Sequence, residues 1–246
     1  MKSTQYWADR YVEIRRTPEQ VIRMIRPGQR VFIGSACGEP QTLVRALSDY
    51  GRTLTGLEVV RLMSLETTPL TMIADKSQDQ SLNIRSLYLG SGKPETIARN
   101  KRFITPMNQS DIPRLFKSRK LPIHVALVQA APPDDFGWMS LGVSVDITLA
   151  AAKVADLLIV QVNPRMPRVL GHSFVHVNEA DFIVEHEEAL ITVPEPPESE
   201  RANQIGRLIA RLIDDGSTLQ ISPGTTGQAT ALALADKNDL GIHSQF

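Results

Sequence analysis

The feature that most constrains this chain is a recurring alternation of short apolar runs with helix-patterned or small-residue stretches. Apolar runs occupy Arg30 to Ile33, Leu57 to Met63, Ile84 to Leu89, Ile123 to Gln129 and Leu157 to Val162. Each reads as a strand, and helical stretches such as Thr96 to Arg99 and Thr148 to Ala155 lie between them. The alternation predicts an α/β fold built on a mostly parallel sheet with flanking helices. Around Phe174 to Val184 the extended pieces crowd together, so an antiparallel or mixed region is expected there.

Local signals fix several boundaries. Thr17-Pro18-Glu19-Gln20 places a cap residue, a proline at the first helical position and a glutamine two residues later, which opens a helix carrying Val21, Ile22, Met24 and Ile25. Pro27-Gly28 ends it. A second helix is expected through Thr42, Leu43, Ala46 and Leu47, stopping near Gly51. Pro194 to Ser199 can continue neither a helix nor a central strand and reads as a linker before a helix holding Ile205, Leu208, Ile209 and Leu212. After Asp214-Asp215-Gly216 come a strand from Thr218 to Ile221, a Gly/Thr loop, an alanine-rich helix from Ala229 to Lys237 and a strand starting at Leu240. These features divide the chain into a domain over residues 1–215 and, over 216–246, the start of a second α/β domain.

With 246 residues and 42% apolar content the chain can bury a substantial core. Its 27 basic and 27 acidic residues cancel, so nothing suggests a footprint for nucleic acid or an anionic membrane. The residues from Met1 to Arg16 lack the apolar core of a signal peptide, and no run approaches the roughly 20 apolar residues of a spanning helix. Cys37 is the only cysteine, which rules out an internal disulfide and fits a reducing, cytoplasmic setting.

Four segments could carry chemistry. The loop Gly34-Ser35-Ala36-Cys37-Gly38-Glu39-Pro40 joins a strand to a helix, where backbone N–H groups can hold an anion. It lacks both G-x-G-x-x-G and the phosphate-loop lysine, so a nucleotide-binding assignment is weak, and Cys37 reads first as a small buried thiol. Residues 131–138 (APPDDFGW) turn sharply after a strand, and Asp146 is a good cap for the helix that follows. His172, His176 and His186 could be imagined as a metal trio, but an extended backbone separates the first two, so no metal is expected. Glu185, Glu187 and Glu188 read as a solvated acidic surface.

Taken together, the runs from Gly34 to Leu43 (GSACGEPQTL), Gln129 to Asp146 (QAAPPDDFGWMSLGVSVD), Gln161 to Arg168 (QVNPRMPR), Gly171 to His176 (GHSFVH) and Asp239 to His243 (DLGIH) resemble the acetyl-CoA hydrolase/transferase family. The likeness is to its 4-hydroxybutyrate CoA-transferase-like members, and it covers nearly the whole chain but only somewhat more than half of a typical member. It implies a CoA-transferase-like fold of two similar α/β domains with the active site between them. It also implies CoA transfer between an acyl-CoA such as acetyl-CoA and a carboxylate such as acetate or 4-hydroxybutyrate. Coenzyme A is then a substrate, with no permanently bound cofactor. The family's nucleophile is a glutamate following D-L-G-I-H-[ST], and here that position holds Gln245, whose neutral amide cannot form the anhydride. Gly224, with Gln220 nearby, is carried over for binding the thioester carbonyl, although the loop reads Ser222-Pro223-Gly224-Thr225-Thr226-Gly227 rather than the family's pattern. Ser35, Gly38, Pro40, Asn163 and Met166 are carried over as substrate contacts. A chain of this kind is expected to be incomplete alone, needing a homo-oligomer or a separately encoded carboxyl-terminal domain. The alternative is a non-catalytic module that binds an acyl-CoA or a partner.

Overall fold

Strands β1 (Arg30–Ile33) and β5 (Val125–Ala130) lie side by side in parallel, pairing Val31 with Val125 and Ile33 with Leu127. They are the centre of a seven-stranded sheet with the order β4-β3-β2-β1-β5-β7-β9, every pair of which is parallel. The other members are β2 (Leu57–Arg61), β3 (Leu82–Ser86), β4 (Arg102–Ile104), β7 (Leu157–Val162) and β9 (Phe182–Glu185). The computed structural model describes residues 6–50, 54–62, 82–87, 102–193, 198–222 and 224–244. The helix expected over Thr96 to Arg99 lies outside these, as do Met63 and Leu89.

A parallel sheet has no solvated face, and these strands are accordingly apolar on both sides. Phe32, Val60, Ala126, Val128, Leu158 and Val160 point to one face, where they meet α4 (Ile112–Lys117) and α5 (Thr148–Val154) through Ile112, Phe116 and Ala151. The Phe32 and Phe116 rings pack edge to face with centroids 6.1 Å apart. Val31, Ile33, Val59, Ile84, Val125, Leu127 and Ile159 point the other way, against α2 (Pro18–Ile22) and α3 (Gln41–Tyr50) through Val21, Ile22, Leu43 and Leu47. Each fully buried side chain of this kind contributes roughly 1.5–3 kcal/mol, so the sheet is the energetic centre of its unit.

The expected capping of α2 is present. Thr17 accepts a hydrogen bond from the Gln20 N–H, and the Gln20 side chain accepts one from the Thr17 N–H. Asp146 likewise accepts from the Thr148 N–H at 2.9 Å at the start of α5. The crowded region splits in two, because β6 (Trp138–Ser140) and β8 (Phe174–His176) form an antiparallel ribbon while β9 joins the main sheet in parallel. Helix α1 (Trp7–Ile14) brings Trp7 against Gly137 at the start of that ribbon.

The chain separates into two compact units, Met1–Thr192 and Val193–Phe246, a division that falls ahead of residues 215–216. Helix α6 (Glu200–Ala210) groups with the second unit because it packs on α7 (Thr225–Leu232). Gly206 permits that contact, since a Cβ there would lie 2.6 Å from the Ala229 carbonyl oxygen. A two-stranded parallel sheet, β10 (Thr218–Leu219) with β11 (Gly241–Ile242), completes the unit's described elements. The Gly206→Ala variant should therefore destabilise the second unit by about 1–3 kcal/mol through overpacking. Hydrogen exchange should show the loss in α6 and α7 while the β5 amides keep their protection.

Candidate functional site

The strand order reverses between β1 and β5: one branch runs outward through β2, β3 and β4, the other through β7 and β9. In an open α/β sheet the carboxyl ends of the two strands at such a reversal are the usual place of a ligand site. The loops holding Ser35, Pro132 and Asn163 follow β1, β5 and β7, so all three lie at this one end of the sheet.

In the first loop Ser35 is buried, and Ala36 is held at φ +50°, a left-handed conformation that a residue with a side chain rarely adopts. The Ser35 N–H donates to Ser144 Oγ at 3.2 Å, and Ser144 Oγ lies 3.2 Å from the Ser35 carbonyl as its donor. Gly38 makes the close approach possible, because a Cβ on it would stand 2.3 Å from the Ser144 Cβ. Gly142 does the same at the next junction, leaving room for Met166 and for the Pro167 carbonyl, which an added Cβ would meet at 2.8 Å. The three loops are thus locked by small residues. Among the described residues the Ser35 hydroxyl is buried without a hydrogen-bond partner, an arrangement costly enough to point to a missing donor or acceptor.

Beneath the loops lies a buried polar network. Gln129 and Gln161 occupy matching positions of β5 and β7, and both are fully buried. Gln129 Nε2 donates to the Glu39 carbonyl at 3.0 Å, while Asn163 Nδ2 donates to Gln129 Oε1 at 2.7 Å and to the Glu188 carbonyl at 2.8 Å. Asn163 Oδ1 accepts from the Arg165 and Glu188 N–H groups. The Glu188 carboxylate accepts from the Thr42 N–H and hydroxyl at 3.1 Å, from Gln161 Nε2 at 2.7 Å and from the Arg45 guanidinium at 2.6 Å. Glu188 therefore departs from the solvated surface expected for it, because its carboxylate turns inward onto the first turn of α3. Burial opposes its charge, and the hydrogen bonds from Arg45 and Gln161, the Arg45 charge and the Thr42 bond outweigh that, holding its pKa below the usual carboxylate value.

Residues 131–138 form a tight turn around Asp134, whose carboxylate accepts from the Phe136 and Trp138 N–H groups and from Arg168 at 2.8 Å. Desolvation raises its pKa, but these donors and the Arg168 charge win and depress it. Arg168 also stands over the Phe174 ring, 4.8 Å from its centroid. Next to it an open cavity of about 430 Å³ is lined by Trp138, Leu149, Lys153, Arg168, His172 and Phe174. His176 is engaged with the Phe136 carbonyl, the Asn178 N–H and the Trp138 ring, and no cluster of three metal-ligating side chains occurs among the described residues.

Of the residues singled out from sequence, Ser35, Gly38, Pro40, Asn163 and Met166 converge on this end of the first unit, and all five are buried. Asn163 spends its amide on the internal network, so its observed contacts support the loops. Cys37 is only partly buried, in contrast to the buried thiol expected. Gln220 and Gly224 belong to the second unit, where they are exposed and line a cavity of about 410 Å³ with Ser222 and Thr226. Gln245 lies outside the described residues. Gln129, Gln161 and Glu188 were missed, although an identically placed glutamine in VALVQA and LLIVQV is a polar interruption that marks where two apolar strands meet something polar.

Two measurements follow from this geometry. Gly38→Ala should force Ser144 away from Ser35 and lower stability by about 1–3 kcal/mol in denaturant unfolding. Because Glu188 and Asp134 have depressed folded pKa values, the stability they add is complete above the unfolded carboxylate range near pH 4 and is lost as pH falls through the folded values. Replacing either by its amide should flatten the acid limb of a stability-versus-pH curve.

Comparison with known proteins supplies the lineage. A family described as the acetyl-CoA hydrolase/transferase N-terminal domain matches residues 1–195. The 4-hydroxybutyrate coenzyme A transferase of Clostridium kluyveri is 36% identical over 240 residues, covering 98% of this chain and 55% of that protein. The succinyl-CoA:cyclohexane-1-carboxylate CoA transferase of Geobacter metallireducens is 28% identical over 94% of this chain and 52% of its own length. Among solved structures, RipA from Yersinia pestis has a TM-score of 0.82 at 27% identity, with 98% of this chain and 58% of that one aligned. A 4-hydroxybutyrate CoA-transferase from Porphyromonas gingivalis has a TM-score of 0.78 at 28% identity over 97% of this chain and 56% of its own. The chain spans about half the length of the curated relatives it matches. With residues 1–195 matched and the doubly wound sheet in place, the chain belongs to the acetyl-CoA hydrolase/transferase family.

Proposed function

We propose that this chain is the acyl-CoA-recognising half of a CoA-transferase, which moves CoA between an acyl-CoA such as acetyl-CoA and a carboxylate such as acetate or 4-hydroxybutyrate once a carboxyl-terminal half is present. The observation that carries the reading is the set of three loops locked at the strand-order reversal, in a chain whose relatives are CoA transferases. Ser35, with its unpaired buried hydroxyl, is the side chain best suited to take a polar atom of the substrate, and Gly38 and Pro40 shape the wall beside it. Gly224 and Gln220, on the second unit, are assigned to the thioester carbonyl from the likeness of their segment to the family's alone. Coenzyme A is a substrate, and transfer to water in place of a carboxylate would make the same chemistry a hydrolysis. No described helix is long and apolar enough to cross a membrane, and a single cysteine agrees with a cytoplasmic setting.

The glutamine at position 245 favours a second reading, that of a module which binds acyl-CoA without turning it over. An amide oxygen carries no charge, and displacing nitrogen from an amide is unfavourable, so the carboxylate exchange through an anhydride has no nucleophile at that position. Leu208, Leu212, Leu232 and Ile242 are exposed on the second unit, apolar side chains that a carboxyl-terminal half could cover, whether on this polypeptide, on another, or in a second copy.

The purified chain should bind acetyl-CoA in a calorimetric titration yet exchange labelled acetate into acetyl-CoA no faster than the uncatalysed background. Exchange that appears on adding a family carboxyl-terminal half selects the enzyme reading, and binding without exchange in that mixture selects the module. Turnover by the chain alone, or a covalent CoA adduct on it, would show that the nucleophile lies elsewhere.

A further inference from the structure

We propose that Glu188 is a positioning residue for the loop at 34–40, acting through a relay of side-chain amides whose orientation its carboxylate dictates; the inference deepens the acyl-CoA reading and rests on it for its consequence in binding. The segment after β9 carries Glu188 back across the carboxyl ends of the strands, where its carboxylate meets the first turn of α3. An ionised carboxylate only accepts hydrogen bonds. Gln161 must therefore present Nε2 to Glu188, which leaves Gln161 Oε1 for the Leu43 N–H at 3.3 Å.

The same polarity passes along the relay. Gln161 Nε2 also stands 3.4 Å from Gln129 Oε1, and Asn163 Nδ2, which the Glu188 backbone carbonyl orients independently of the carboxylate, donates to the same oxygen, so Gln129 must turn its own Nε2 to the Glu39 carbonyl. That carbonyl belongs to the peptide before Pro40, and holding it fixes the exit of the loop that contains Ser35. Both routes from the Glu188 carboxylate, through Gln161 to Leu43 and through Gln161 and Gln129 to Glu39, end on backbone at the junction of the loop and α3. A flipped amide anywhere along the relay would set two donors or two acceptors against each other in a buried place, which is costly.

The charged groups facing Glu188 are few. Arg45 of α3 binds one carboxylate oxygen, and His186 of the same segment stands 3.9 Å away. Glu187 is engaged with Arg165 at 3.0 Å. Arg45 is therefore the group that keeps Glu188 ionised and the relay in one polarity.

Cys37 provides a native reporter, since it is the only cysteine in the chain, lies within the loop and is partly buried. The experiment measures its labelling by an aromatic disulfide reagent in the full chain, in Glu188→Gln, in Arg45→Gln and in Arg119→Gln. The last removes an exposed pair with Asp156 and serves as the control. Labelling in the first two variants should be about tenfold faster or more, the factor expected for losing one charge-assisted hydrogen bond. The control should label like the parent. Hydrogen exchange separates positioning from general weakening: the inference requires exchange in residues 34–43 to accelerate more than in β5, whose change reports the global loss of stability, whereas equal acceleration of both would overturn it. Labelling at the parental rate in both variants would also overturn it. A parallel acetyl-CoA titration should show affinity falling about tenfold with Glu188→Gln. A parent chain that does not bind acetyl-CoA would sink the functional reading while leaving the loop coupling to be judged by Cys37 alone.

Discussion

Everything at the functional end of this protein depends on the pairing of β1 with β5. Residues remote in the chain, such as Phe32 and Ala126, become neighbours there, and the sheet grows away from that seam in both directions. The pairing is held by apolar packing on both faces, with Arg30 and Gln129 the polar side chains of its two strands. The outward connections leave the seam on opposite sides, which makes the carboxyl end of the sheet the usual place for a ligand in a fold of this kind.

At that end backbone and side chains approach closely. Gly38 against Ser144 and Gly142 against Met166 leave no space for a larger residue, so the three loops pack as one rim. The polar network underneath satisfies buried amides that a purely apolar core would strand. Its members are the Gln129, Gln161 and Asn163 side chains, which bond one another, Glu188 and the Glu39 carbonyl at the exit of the first loop. Membership of the acetyl-CoA hydrolase/transferase family gives this end of the sheet its chemical context.

Much of this was legible before any coordinates. The α/β class, the mostly parallel sheet, the strands at 30–33 and 157–162 and the capping box at Thr17 and Gln20 all follow from local pattern, and each appears in the structure. The loop motifs drew attention to Ser35, Gly38, Pro40, Asn163 and Met166, which do converge. The role of Glu188 was not legible, because an acidic triplet with a neighbouring histidine has the composition of a surface. Its burial arises from where the chain returns after β9, a long-range fact. The grouping of α6 with the second unit was hidden for a similar reason, since its amphipathic pattern shows that it must pack but not against what.

The sequence by itself determined the periodicities, the caps, the turns and hence the kinds of element, because those depend on neighbours within a few residues. It also settled the absence of an internal disulfide and the amide at position 245, which are matters of residue identity. Only the tertiary structure decided which strands adjoin, that Gln129 and Gln161 stand in register, that the Glu188 carboxylate reaches the first turn of α3 and that the Ser35 hydroxyl is buried without a partner among the described residues. The physical reason is the same in each case: hydrogen bonds and packing act over a few ångströms in space, and a linear pattern carries no measure of that distance until the sheet has brought its carboxyl ends together.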